Sequence, residues 1–143
     1  MTPTIDTQIH EALRAAVTAA AGGLPVAWQG ETFTPPHSAT GLLPYIAVGD
    51  TQTAVRAVID SDGPLERTGI ITLAHVAPIG YNAAWYVERA ADLLASFPLD
   101  GCAKYGTVTV RWGNGLAVPR VERGFQDAGY WRTPCIIPWR CAA

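Results

Sequence analysis

Charge is what this sequence has least of. Only 15% of its 143 residues are Asp, Glu, Lys or Arg, and the formal net charge is −2. An ordinary soluble domain carries about 25% charged residues. So near-neutral a chain excludes the extended basic face that nonspecific DNA binding needs. The deficit predicts that part of the outer surface is covered by a partner. Lysine is nearly missing: nine of the ten basic residues are Arg, and Lys104 is the exception. Arg is favoured over Lys at protein contacts, because its planar fork pairs with carboxylates and it loses less hydration on burial. Cysteine is scarce and odd in number. Cys102, Cys135 and Cys141 lie 33 and 6 positions apart, which fits neither a disulfide framework nor a zinc knuckle. Reduced thiols in a cytoplasmic protein are expected. Long hydrophobic runs are absent too. The stretch from Ala12 to Ala21 is interrupted by Arg14 and Thr18 and is too short to cross a bilayer. Met1 to Asp6 has no basic region of the signal-peptide kind.

What is present is apolar: 49% of the residues, enough for a folded core in a single domain spanning 1–143. No internal repeat or linker divides the chain. A first helix is expected from Thr7 to Ala21, with Asp6 as N-cap. Ile9, Leu13, Ala16, Val17 and Ala20 form its apolar stripe, and Gly22-Gly23 stops it. Pro25 to Gln29 reads as a short strand, and Gly30 to Gly41 as a loop with Pro35-Pro36. Strands follow at Pro44 to Thr51, Thr53 to Ile59 and Arg67 to Val76, the last two joined through the turn cluster 60–64. A second helix is expected from Ala83 to Ser96, capped by Asn82, with Ala84, Val87, Ala91 and Leu94 buried. Thr107 to Trp112 alternates as a half-buried strand. Gly113-Asn114-Gly115 then predicts a hairpin to a partner strand at Leu116 to Arg123. The last strand runs from Tyr130 to Pro138. The order argues an α+β domain: two helices packed on one face of a mostly antiparallel mixed β-sheet, with an extended β-hairpin.

Little in the sequence points to chemistry. His10, His37 and His75 have no metal-ligand spacing to each other or to a cysteine, so no metal and no cofactor is expected. Cys135 and His75 fall on neighbouring strands, but Cys135 sits beside Ile136 and Ile137. That is the setting of a packed core thiol, not of an activated nucleophile. Asp60 and Asp62 read as turn residues, and Gly113-Asn114-Gly115 lacks the Lys and helix of a phosphate loop. No catalytic residue is assigned.

The aromatics carry more information. Arg111-Trp112, Trp131-Arg132 and Trp139-Arg140 pair the residue types that dominate interface hot spots. Equally, these tryptophans could cover the sheet's own core. The loop from Glu31 to Leu43, with its Pro-Pro and little charge, is long for a compact domain, and an arm that contacts a neighbour would explain it.

In layout the chain resembles the tail terminator-like proteins of long-tailed, non-contractile bacteriophages. The resemblance covers about 6–141 and rests on short islands in order: Pro25-Val26-Ala27-Trp28, Phe33-Thr34-Pro35-Pro36, Pro44-Tyr45-Ile46-Ala47-Val48, Val76-Ala77-Pro78, Phe97-Pro98, Val108-Thr109-Val110 and Ile136-Ile137-Pro138-Trp139-Arg140. Pro138, expected to interrupt the last strand, and the three cysteines depart from the pattern. The resemblance implies a non-enzymatic virion protein of the tail and neck, assembled in the host cytoplasm. It would form a hexameric ring that caps the tail tube, stops its polymerisation and joins the tail to the head connector. Its partners would be its own copies, the major tail tube protein and the connector or stopper protein. DNA would pass through the lumen without sequence preference, and no membrane is involved. Phe33, Pro35, Pro36, Arg56, Arg67, Trp131, Trp139 and Arg140 are the expected ring or tube contacts. Two alternatives stand beside this one: a head–tail stopper or tail completion protein of the neck, and a small cytoplasmic ligand-binding or enzymatic α+β domain with a polar pocket around His75 or Cys135.

Overall fold

The computed structural model describes residues 4–49, 52–57 and 65–142, with the backbone alone along 52–57 and at 65. Helix α1 (Ile5–Ala21) starts two residues earlier than its sequence suggests. Thr4, not Asp6, is the N-cap: its side chain accepts from the backbone N–H of Thr7. Asp6 instead stands in the first turn, where a carboxylate is favoured by the helix dipole. Gly22 ends the helix in the left-handed conformation, φ 59°, as a glycine stop should. Gln8, Ile9, Ala12, Leu13, Val17 and Ala21 form the buried face.

The strands in chain order are β1 (Val26–Ala27), β2 (His37–Ser38), β3 (Gly41–Leu42), β4 (Tyr45–Val48), β5 (Gln52–Ala57) and β6 (Leu65–Pro78). Helix α2 (Ala83–Leu94) follows. It is capped by Asn82, whose side chain accepts from Trp85 N–H at 2.9 Å. Then come β7 (Cys102–Tyr105), β8 (Val108–Trp112), β9 (Arg120–Val121), β10 (Phe125–Asp127) and β11 (Tyr130–Ala142). The main sheet runs β1-β4-β6-β11-β8-β7, with β5 also on β6 and both β9 and β10 on β11. Among the described residues only β1 and β4 pair in parallel, so the sheet is mixed and mostly antiparallel. The loop expected at 30–41 closes on itself as a small separate β2–β3 hairpin. The extended hairpin is β5–β6, registered from Gln52 opposite Ile70 to Ala57 opposite Leu65. Its expected turn at 60–64 lies outside the described residues.

The spine is the β6–β11 pair, in continuous register from Tyr130 opposite Pro78 to Ala142 opposite Glu66. Side chains alternate along a strand. Cys135, Ile137, Trp139 and Cys141 therefore face one way, with Ile71 and Leu73 of β6. They meet Ile9, Leu13 and Val17 of α1 and Ala90 and Leu93 of α2 in one core. Both helices thus cover the same face. A smaller cluster of Tyr45, Val76 and Tyr130, with Phe33 packed against it, forms apart from that core.

Three expectations are corrected. Pro138 does not interrupt the last strand, which continues to Ala142. The Pro138 carbonyl accepts from Gly113 N–H at 2.7 Å, and that of Pro134 from Glu122 N–H at 2.8 Å. A residue's N and O point to the same side of a strand, so both missing N–H groups face β8–β10 and leave the β6 ladder whole. On that side three short strands meet β11 in succession: β10 at 130–132, β9 at 135–136 and β8 at 139–140. The prolines sit at the joints. The Asn-Gly turn is real, closed by two hydrogen bonds between Asn114 and Ala117 at 2.9 Å. It does not hairpin β8 onto 116–123, because β8 pairs with β7 instead. It redirects the chain towards β9. Finally, α2 buries Tyr86, Ala90 and Leu93, not the stripe of Ala84, Val87, Ala91 and Leu94. Tyr86 locks this rotation: its hydroxyl donates to the Pro78 carbonyl at 2.7 Å and accepts from Tyr81 N–H at 3.3 Å.

Candidate functional site

Cys135 and His75 lie on the central strands under α2, but they do not form a reactive pair. The Cys135 thiol donates to the Ala90 carbonyl at 3.4 Å, and burial pushes its pKa up to about 12. A thiol so held is not a thiolate at neutral pH. His75 stands opposite Thr133 across the ladder, with its ring 5.9 Å from that of Trp85. Its Nδ1 and the Thr133 hydroxyl have no hydrogen-bond partner in the structure. Burial lowers the His75 pKa, and the Arg89 guanidinium lowers it further. The sign of the consequence is fixed: the unfolded chain takes up the proton first, near pH 6.5, so stability falls as the pH drops from there through the depressed folded value. The urea midpoint should therefore decline as the pH is lowered from about 7.5 to about 5, a span that brackets the unfolded value. His75→Gln should flatten the decline, and an equal slope in both proteins would contradict it. Among the described residues, no three His, Cys, Asp or Glu side chains come together as a metal site would require. A recess of about 390 Å³ lies elsewhere, beside α1, between His10, Trp28 and Glu31. Arg14 bridges it, bonded to Glu31 at 3.0 Å and stacked over Trp28 at 4.3 Å.

The expected contact residues separate into two groups at opposite ends of the sheet. Trp131 stands opposite Ala77 and Arg140 opposite Thr68, about 30 Å apart along β11 at ~3.3 Å per residue. At the first end lies the proline arm. Phe33 is half-buried on Tyr45, with ring centroids 4.9 Å apart. Pro35 is exposed, and Pro36 is half-buried with its carbonyl accepting from Leu43 N–H at 3.0 Å. Trp131 is half-buried against Tyr86, 5.7 Å between centroids. At the second end, Arg67 is largely enclosed and bonds Asp6 of α1 at 3.0 Å. Arg140 donates to Asp100 at 2.7 Å and to the carbonyls of Trp112 and Gly113 at 3.3 and 2.9 Å. Arg56 stands opposite Glu66 in the β5–β6 register, and its side chain lies outside the described residues. Trp139 is wholly buried, 0% exposed, and is withdrawn from any surface a neighbouring chain could touch. It packs inside because odd positions of β11 face the helices.

The apolar surface that remains is elsewhere, and the sequence reading did not assign it. Around the first end, Leu42, Ile79, Tyr81 and Phe125 are exposed. Tyr81 stacks on Trp85 at 3.8 Å, and the Arg89 guanidinium covers the same indole at 5.1 Å. Along α2, Ala84, Val87 and Ala91 point outward, with Leu94 half-buried. The signal for this stripe was in the sequence: it is the very set that the helical period marked as buried. A helix apolar over so much of its circumference is normally covered on more than one side. Arg14, Arg67, Arg89, Arg120, Arg132 and Arg140, by contrast, each pair with a carboxylate of their own chain.

The family model described as phage tail terminator protein matches residues 8–139. A solved structure without a functional description is 23% identical, with a TM-score of 0.63, covering 97% of this chain and 94% of its own. A second, described as the virion of a native gene transfer agent particle, is 13% identical, with a TM-score of 0.56, covering 97% and 95%. At these identities the two likenesses establish the fold. No curated protein matches the sequence.

Proposed function

Because the chain belongs to the phage tail terminator family, we propose that it is the structural protein that ends a tail tube. Copies of it, six on the pattern the resemblance implies, close into a ring on the last layer of tube subunits, block further addition and offer the other face to the head connector. The observation that carries the reading is the family match across residues 8–139. The chemistry supports it. A ring of identical subunits needs two different, mutually fitting patches. The chain leaves Val87 on α2 and Leu42, Ile79, Tyr81 and Phe125 at one end of its sheet uncovered. Each contact is repeated around the ring, so modest individual affinities suffice. The proline arm, with Phe33, Pro35 and Pro36, and the β5–β6 hairpin, with Arg56 and Arg67, are the contact segments. Trp139 and Arg140 act from within, by holding the walls in place.

The test is loss of the protein during tail assembly, read by electron microscopy. Tubes should run past their set length and fail to join heads, and supplying the protein should restore both. Tails of normal length left unjoined would instead indicate the stopper role, one step nearer the head. Normal particles would overturn both readings.

A further inference from the structure

We infer that the uncharged arm of one copy, residues 32–44, seats in an apolar groove beside α2 of the next copy. This rests on the ring reading above and names the contact that would build the ring. The groove continues the outward stripe of α2. Leu94, Leu99, Val118 and Pro119 are among the side chains that line it, around about 270 Å³. None of its lining residues is charged. Leu99 is 55% exposed and Val118 44%, so the groove is lined by apolar side chains that are open to solvent. A patch of this chemistry, extended along a helix, marks a protein contact site.

The same chain presents a segment of matching chemistry. Residues 32–44 contain no Asp, Glu, Lys or Arg. Leu42 and Leu43 are 41% and 40% exposed. The arm is ordered before it binds: β2 pairs with β3, Leu43 N–H donates to Pro36, and two prolines stiffen its base. Little conformational freedom is left to lose on docking.

The arm does not fill its own groove. Leu42 lies against the turn before β11, where a side chain on Gly129 would meet it at 3.9 Å. The groove lies further along, since Arg120, next to Pro119, stands opposite Ile136. From Tyr130 to Ile136 the strand rises about 20 Å. Phe33 on Tyr45 fastens the arm at the first of these positions. The occupant is therefore another chain, and a second copy offers the complementary surface in equal number. An arm-to-groove contact joins unlike patches, so it repeats head to tail and closes when the rotation allows.

The experiment is a paired-cysteine cross-link in full-length protein, with Cys102→Ser removing the exposed native thiol. Leu43→Cys and Val118→Cys both change exposed positions, so the fold should survive them. Air oxidation with a copper catalyst should convert the double variant into a ladder of covalent multimers, while a mixture of the two single variants gives dimers only. Independently, Val118→Glu should weaken self-association by roughly ten-fold or more, since it places a charge in an apolar contact. Multimers in sedimentation without a cross-link would overturn the arm contact and leave the ring reading standing. Cross-linking only to the tube protein, when isolated tubes are added, would overturn the copy-to-copy assignment. A monomer under all conditions, tube ends included, would overturn the ring reading and this inference with it.

Discussion

Trp139→Ala should cost the folded chain about 3–5 kcal/mol, the range for removing a large aromatic from a core. Trp139 is 0% exposed and stands opposite Trp112, itself only 2% exposed, across the β8–β11 register. Trp112 in turn meets Phe97 edge-on at 4.8 Å. Deleting the Trp139 ring leaves a hole where strands and both helices converge. Domains of this size are stable by about 5–15 kcal/mol in all, so the variant should be largely unfolded at modest urea concentrations. The indole N–H of Trp139 has no hydrogen-bond partner in the structure, which costs free energy in a buried site. Trp139→Phe should therefore keep most of the stability. Urea titration of the isolated protein measures both. An alanine variant that unfolds like wild type, and fails only in assembly, would mean that Trp139 works at a surface after all.

Gln8→Ala should cost about 2–3 kcal/mol, far more than an exposed helical glutamine would. Gln8 is 3% exposed on α1. Its side-chain oxygen accepts from the backbone N–H of Thr107 at 2.7 Å and from the Thr107 hydroxyl at 3.0 Å. This one residue thus ties the helix to the turn between β7 and β8, and its loss removes both bonds at once and leaves a buried site on α1 unfilled. Gly106 completes the arrangement. It has φ +57°, and a Cβ there would collide with the Gln8 amide. Gly106→Ala should be destabilising for both reasons. The double variant should lose less than the sum of the two singles, because removing the amide removes the collision. Strict additivity in thermal or urea unfolding would refute the coupling.

Much of the fold was legible because its punctuation is local. Gly22 stopping α1 and Asn82 starting α2 are decided by backbone sterics and one side-chain hydrogen bond each. The alternation at 108–112 reflects a strand with one buried face. What escaped was decided at a distance. Cys102-Ala103-Lys104-Tyr105 has weak strand character and becomes β7 because the edge of β8 is available. The last strand passes both its prolines because its partners on one side are interrupted there. The rotation of α2 was not readable, since two apolar stripes lie side by side and periodicity cannot rank them. Tyr86 and its bond to Pro78 make the choice. For the site, the order of short islands led to the family, and the match across 8–139 bears that out. The Arg–aromatic pairs could not tell an outside partner from an inside one: Arg140 finds Asp100, forty positions earlier in the chain.

The two prolines of β11 also bear on how the free chain resists aggregation. An exposed strand edge is a template for any passing chain and so a seed for aggregation. Should β8, β9 or β10 peel away briefly, the uncovered flank of β11 lacks a donor at 134 and again at 138. A foreign strand could not zip along it without breaks. Pairing along that flank is interrupted at two points four residues apart, so the edge resists propagation of a foreign ladder.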